Sequence, residues 1–373
     1  MSSHVRDLIQ WILNSPDVVA MVHEQALQPL TGRTVYPATY AGNGKDDKPR
    51  YCIAHLRDGS NVCTIDSIPS QANRLEAEWV SNPRYAGLFP NVSIEATQHD
   101  GSTSVRPLML LGHRAADGAV LASELNEEVT AAMLAMSSRT PNPVPLARLS
   151  PTSLLMGLWD SRPNRTGLKL PRAFSAEIEA TNVSERIKHS LYNAAWHASH
   201  LHSSLVEAIG TVKPSVVGLE SAPDGDAGAG VEVHGEIVRR ATLSMIPLRS
   251  NLGWLTPEDK DAAHQITAEY TATLGLLALS MPTSPYLRVG CTLLPAGSAT
   301  MTLVRRDGSR EVVSIEHDAV LEALGALASQ MGFVDRVAKL TPKSVKGYVD
   351  AVTKEKKEGA GKRKKKGGQD DAT

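Results

Sequence analysis

Apolar and polar positions along the chain alternate with two different periods, and each marks elements. In YCIAHLRDGSNVCTI, Asp58-Gly59 lies between two strand-like runs, and in TMTLVRRDGSREVVSI Asp307-Gly308 does the same. Asp-Gly tolerates positive φ, so both stretches predict β-hairpins. SIEATQHDGSTSVRPLMLLGHRAADGAVLA adds Asp100-Gly101 and Asp117-Gly118, which predicts a β-rich insertion over about residues 81–150. Helical spacing is equally visible. Ile187, Leu191, Ala198, Leu201, Leu205 and Ile209 fall on one face and predict a long, half-buried helix. A second helix follows from Ile266, Tyr270, Leu274 and Leu277, with Pro257 and acids at its start, and a third from Val320, Leu324, Leu327 and Met331.

Between Val62 and Val80 the pattern is compound. Val62–Ile65 reads as a strand, Pro69 marks a turn, and Ala72, Leu75 and Trp79 trace a helix with Ser70 as its N-cap. Stretches rich in Pro, Gly, Asn and Asp at 82–91, 140–151 and 221–230 read as loops, and no internal repeat is present. Strands, hairpins and helices mixed without regular strand-helix-strand alternation argue for an α+β fold and against a doubly wound parallel sheet.

Composition narrows the class. The chain has 373 residues, 42% hydrophobic and 21% charged, which suits a soluble globular protein able to bury a large core. No run of about 18 apolar residues occurs, and MSSHVRDLIQWILNS carries charges where a secretory segment needs an apolar stretch, so a cytoplasmic protein with no membrane contact is expected. Cys52, Cys63 and Cys291 are odd in number and lack a CxxC pair, so neither a disulfide framework nor a cysteine zinc site is expected; they read as small buried hydrophobes. With three Phe, eight Tyr and five Trp, a surface that holds bases mainly by stacking is disfavoured.

The net charge of −1 hides an asymmetry: residues 354–373 hold eight Lys or Arg and four acids, leaving 31 basic against 36 acidic residues elsewhere. An anionic partner of the body must therefore be held by local cations and oriented amides rather than by the global field. From Lys343 the chain is lysine-rich and poor in apolar residues, so 343–373 is expected to be a disordered tail, either solubilising or weakly attracted to nucleic acid.

Two segments carry candidate chemistry. The helix start after Val62–Ile65 presents Ser70, Gln71, Asn73 and Arg74, and a helix N-terminus with unpaired N–H groups suits a phosphate; a plain capped helix is the competing reading. In PTSLLMGLWDSRPNRTGLKLPRAFSAEI, Arg162, Arg165, Lys169 and Arg172 project from an irregular loop. Arginine forks match phosphate oxygens there, against the alternative of a solvated basic loop. His113-Arg114 and Arg239-Arg240 are weaker candidates that ordinary surface charge would also explain. PDGDAGAGVEVHG lacks the lysine of a P-loop. His189, His197 and His200 would share a helix face, but no HExxH or nearby carboxylate supports a metal, and no GxSxG elbow or Ser-His-Asp pattern supports nucleophilic catalysis.

Taken together and in order, IDSIPSQANRLE, LLGHRAADGAVLAS, PTSLLMGLWDSRPNRTGLKLPRAFSAEIEA and YLRVGCTLLP resemble the backbone subunit of the type I-G (formerly I-U) CRISPR effector complex, of the RAMP superfamily. The resemblance spans roughly residues 50 to 300; SQANR and WDSR…LPR are its more specific blocks. It implies an RRM-like, ferredoxin-like palm with large insertions, including a β-hairpin thumb and helical additions, as one elaborated domain over 1–342. It implies protomers that polymerise as a filament along CRISPR RNA, paired with a target DNA strand. Other Cascade subunits would join them, including a fused RAMP processing subunit and a large subunit, and a recruited helicase-nuclease would cut. The subunit itself is expected to need no cofactor or metal and to be non-catalytic. A backbone that accepts any guide should hold phosphate and ribose, which assigns RNA contact to Ser70, Gln71, Asn73, Arg74, His113, Arg114, Arg162, Arg165, Lys169 and Arg172. The alternative is a RAMP-superfamily RNA endonuclease with His113 or His55 as general base and a nearby cation at the phosphorane.

Overall fold

The structure, a computed structural model, describes residues 2–40, 50–138, 140–162, 165–188, 196–197, 201–212, 214–220, 227–254, 261–282 and 284–353. Its elements in chain order are α1 (Ser2–Asn14), β1 (Val18–Pro29), β2 (Ile53–His55), β3 (Asn61–Asp66), α2 (Ile68–Ser81), β4 (Asn91–Thr97) and β5 (Thr103–Pro107). Then come α3 (Asn126–Met136), α4 (Val144–Leu149), α5 (Pro151–Met156), β6 (Leu158–Trp159), β7 (Lys169–Leu170), β8 (Phe174–Thr181) and β9 (Val183–Lys188). The remainder is α6 (Ser203–Ile209), β10 (Ala227–Val233), β11 (Ile237–Ser244), α7 (Met245–Asn251), α8 (Ala262–Ser280), β12 (Tyr286–Arg288), β13 (Cys291–Pro295), β14 (Thr300–Arg305), β15 (Arg310–Val312), α9 (His317–Ala328) and β16 (Asp335–Lys339).

One antiparallel sheet organises the chain, in the order β12-β13-β1-β11-β8-β3-β2, with β14 also pairing with β1. Four of its strands, in the order β14-β1-β11-β8, with helices crossing between β1 and β8 and between β11 and β14, form the split βαβ arrangement of a ferredoxin-like fold. The fold is therefore α+β, as the mixed periodicities require. Alternation fixes the inner face. Phe174, Ala176, Ile178 and Ala180 of β8 and Ile237, Arg239, Ala241 and Leu243 of β11 are buried, while the residues between them are not. Helix α8 is buried along most of its length, from Thr267 to Leu279, between the sheet and α9 and α1. Gly275 permits that approach: a Cβ there would sit 2.6 Å from a methyl of Leu243. Buried Arg249 of α7 donates to the carbonyls of Ile12, Leu13, Ser15 and Val18, satisfying the C-terminal end of α1.

The inner face is not uniformly apolar. Along β1, Met21 belongs to one hydrophobic cluster and Leu27 to another, and His23 and Gln25 lie between; along β11, Ala241 and Ile237 are likewise divided by Arg239. A polar layer thus crosses the core beneath α2. Arg239, readable from sequence as surface charge, is 1% exposed, because strand alternation turns it inward and Arg240 outward.

Several expectations are corrected. The hairpins at Asp58-Gly59, Asp100-Gly101 and Asp307-Gly308 form, joining β2 to β3, β4 to β5 and β14 to β15. Asp117-Gly118 instead starts a short helix, with the Asp117 carboxylate accepting from Ala119 N–H, so the region 81–150 holds one hairpin followed mainly by helices. The long helix expected from Ile187 to Ile209 is absent. Residues 183–188 are strand β9, paired with β10 in a ribbon that prolongs the β8–β11 pair, and among the described residues of that stretch only Ser203–Ile209 is helical. Cross-strand pairing outweighs helical spacing there. Leu191, Ala198, His189 and His200 lie outside the described residues. The lysine-rich segment is ordered as a helix over 342–353. Thr341 caps it by accepting from Ser344 N–H, and Tyr348 packs on the core. Residues 354–373 lie outside the described residues. Cys63 and Cys291 are buried, whereas Cys52 is exposed. Among the described residues no helix is long and apolar enough to cross a membrane, and no cluster of three or more His, Cys, Asp or Glu could hold a metal.

Candidate nucleic-acid interface

Strand β3 ends on Asp66, whose side chain is fully buried, and α2 begins two residues later with Ser67, not Ser70, as N-cap and Pro69 in its first turn. One turn of helix then brings three donors back to that carboxylate. Ser70 Oγ donates to Oδ1 at 2.9 Å, Gln71 Nε2 to Oδ2 at 2.7 Å and Arg74 Nε to Oδ2 at 3.0 Å. Arg288 Nη2 adds a fourth from β12 at 2.6 Å. Asp66 is thus a buried hub, and Ser70, Gln71 and Arg74 are directed inward to it, while Asn73 remains exposed on the helix surface. Sequence reading ended the strand at Ile65 and passed over Asp66, which lies four residues ahead of Ser70 and eight ahead of Arg74; nothing local says that it points inward.

A second ion pair fixes the other side of α2. Arg114 donates through Nε and Nη2 to the two carboxylate oxygens of Glu76, at 2.6 and 2.8 Å, with both residues buried. Burial pushes the Glu76 carboxyl up from the usual carboxylate range, and the neighbouring Arg114 charge opposes that only in part. Arg114 adopts φ +51°, a left-handed conformation unusual for a side chain of this size, so the pair holds the 112–116 turn in a strained shape.

The basic loop divides into anchors and exposed groups. Arg162 Nη1 donates to the Ala116 carbonyl at 2.6 Å. Arg165 donates to Asn126 Oδ1 and Thr130 Oγ1 of α3 and lies over the Tyr348 ring, 5.9 Å from its centre. These two tie the loop down. Lys169 is exposed, with Nζ 5.1 Å from the centre of the Trp159 ring, and Trp159 itself is 62% exposed. Arg172 is half-buried; its Nη1 meets no partner among the described residues, and burial, followed by the nearby positive charge of Arg114, lowers its pKa.

These pieces converge on a groove of about 350 Å³ whose walls include Pro69, His113, Arg114, Trp159, Lys169 and Arg172. It gathers residues from both segments singled out by sequence, and among the described residues no acid lines it. Gly157, at φ +84°, makes the turn possible: a Cβ would lie 3.1 Å from the Leu170 carbonyl oxygen and 3.2 Å from Arg172 N. A short cationic wall with one exposed aromatic can neutralise phosphates and offer a face to one base. Trp159 is the residue that sequence reading passed over, since its exposure follows only from the pairing of β6 with β7.

The open face of the sheet has the opposite character. Arg240 is bracketed by Glu24 at 3.0 Å and Glu179 at 3.5 Å, Glu177 lies directly across from it in register, and no aromatic side chain occupies the outward positions of β1, β8 and β11. The paired strands therefore do not present the aromatic platform by which RRM sheets stack bases.

Residues 21–185 match the protein family described as CRISPR-associated protein GSU0053, a stretch from β1 past the end of β8 that includes every residue of the groove. The matched stretch is 165 of the 373 residues, less than half of the chain. No curated protein sequence matches. Among solved structures, a chain described as "CRISPR RNA-guided surveillance complex, pre-nicking" is similar over 83% of this chain and 88% of that chain, at 12% identity and a TM-score of 0.33.

Proposed function

From a CRISPR-associated match that encloses the whole groove, we propose that this protein is a non-catalytic CRISPR RNA-binding backbone subunit of a type I-G Cascade-like effector complex. The carrying observation is the groove, with no acid among its described lining residues, in which His113, Lys169 and Arg172 flank exposed Trp159. Lys169 and Arg172 meet phosphates, and Trp159 offers a stacking face indifferent to base identity, which suits a protein that must carry any guide. Arg114, Arg162 and Arg165 shape the groove from behind, and Ser70, Gln71 and Arg74 fix α2 through Asp66. Asn73 reaches the strand from the exposed side of α2. The ribbon of β9 and β10 leaving the sheet supplies the hairpin thumb. Copies of the chain polymerise along the guide, which pairs with target DNA; a fused RAMP processing subunit, a large subunit and a recruited helicase-nuclease complete the cytoplasmic machinery.

Co-expression with a CRISPR array tests this reading. A particle of several protomers carrying guide RNA is expected, and a monomer free of RNA beside its cognate transcript refutes it. The second reading, an RNA endonuclease, is favoured by one observation: His113 shares the groove with Lys169 and Arg172, a base beside two cations. Defined cleavage of labelled repeat RNA, abolished by His113→Ala, would establish it; evenly spaced protection without cleavage supports the first.

A further inference from the structure

Helix α2 has a second pocket on its other side. Arg239 projects from β11, 1% exposed, and its Nε donates to Gln71 Oε1 at 3.1 Å. Its Nη1 and Nη2 meet no hydrogen-bond partner among the described residues. The buried carboxylate of Asp66, joined to Arg239 only through Gln71, is already taken by Ser70, Gln71, Arg74 and Arg288. Burial lowers the Arg239 pKa to about 10, which leaves it charged at neutral pH. A cation enclosed in this way without a counter-charge is costly, and an apolar side chain of similar volume would suit the position better if packing were its only task.

Arg239 lines a cavity of about 300 Å³, together with Arg74, Leu75, Glu78, Met281, Ser284 and Leu287. The cavity is lined by both polar and apolar side chains. Its acid, Glu78, accepts from Asn82 Nδ2 at 2.7 Å, and Arg74 contributes a second cation.

We propose that this cavity binds a phosphate monoester: Nη1 and Nη2 of Arg239 form a fork for two oxygens of the phosphate, while Leu75, Met281 and Leu287 receive the organic part. A terminal phosphate of RNA and a free mononucleotide share this chemistry. The site is separate from the groove, which lies on the Pro69 and Glu76 side of α2, and it stands whether or not the groove holds RNA.

The test uses the full chain, with thermal unfolding and calorimetric titration of inorganic phosphate, a nucleoside 5′-monophosphate, the matching nucleoside, and a short RNA with or without a 5′-phosphate. Inorganic phosphate is expected to raise the melting temperature, and the monophosphate to bind more tightly than the nucleoside. Arg239→Gln is expected to weaken phosphate binding roughly tenfold or more, the scale of a charged hydrogen-bonded pair. Because Arg239 is buried, Ser284→Glu at the exposed mouth serves as a second variant that repels the same anion without touching the core. A preference for phosphorylated RNA over the mononucleotide, or the reverse, supports the site and identifies the source. No stabilisation by phosphate or monophosphate, or a stabilisation that both variants retain, overturns the proposal.

Discussion

Replacing His23 by Gln should flatten the acid limb of the stability profile. His23 lies on the inner face of β1, one inward position along from Gln25, which pairs with Arg239 across the strands. Burial, reinforced by the Arg239 charge, lowers its pKa from 6.5 to about 4, and its Nδ1 meets no partner among the described residues. The unfolded chain therefore takes up a proton near pH 6.5 that the folded chain resists until about pH 4. This histidine's share of stability is whole above the upper value and is lost as pH falls through that window. A gap of this size corresponds to on the order of 3 kcal/mol, and partial access of solvent to the ring trims it to roughly 2 kcal/mol. Urea unfolding of both proteins at several pH values from 7 to 4, in phosphate-free buffer, measures it. The wild type should lose roughly 2 kcal/mol more than His23→Gln over that range. Parallel profiles would refute the reasoning, since they would mean that His23 is hydrated in the folded state.

Asp66→Asn leaves Arg74 and Arg288 without their carboxylate, and a loss of about 3–5 kcal/mol in denaturant unfolding is expected. Gly275→Ala forces a methyl group against Leu243 and Leu155, so a cost of about 1–3 kcal/mol is expected, visible as a lowered melting temperature. Lys169→Ala combined with Arg172→Ala should weaken RNA binding and reduce the slope of log affinity against log salt by about 1.4, two phosphates at about 0.7 each; an unchanged slope would place the RNA elsewhere.

Much of the scaffold was legible because its signals are local. Asp-Gly followed by serine writes a hairpin at 58, 100 and 307 because the aspartate accepts from the N–H and hydroxyl of that serine. Helices α8 and α9 announced themselves by spacing, and the strand-turn-helix unit by Pro69 and its apolar stripe. Misreadings arose where a local signal met a stronger distant one. Ile187 has helical neighbours in sequence but pairs with Gly228 across a ribbon, and Tyr348 sits in a lysine-rich stretch that nevertheless docks on the core.

The candidate site was half legible for the same reason. Sequence supplied the cations Lys169 and Arg172, because residue type and loop composition are local facts. It could not sort them from Arg162 and Arg165, which look identical in the chain but are held by a carbonyl at 116 and by two side chains on α3. Nor could it separate Arg239 from Arg240, adjacent residues of which strand alternation buries one and leaves the other in water. Sequence by itself determined the α+β class, most of the helices and hairpins, and the stock of basic residues. Only the tertiary structure decided which of those charges meet a buried acid, which face solvent beside Trp159, and which is enclosed without a counter-ion. Those outcomes depend on contacts between residues from eight to more than two hundred positions apart.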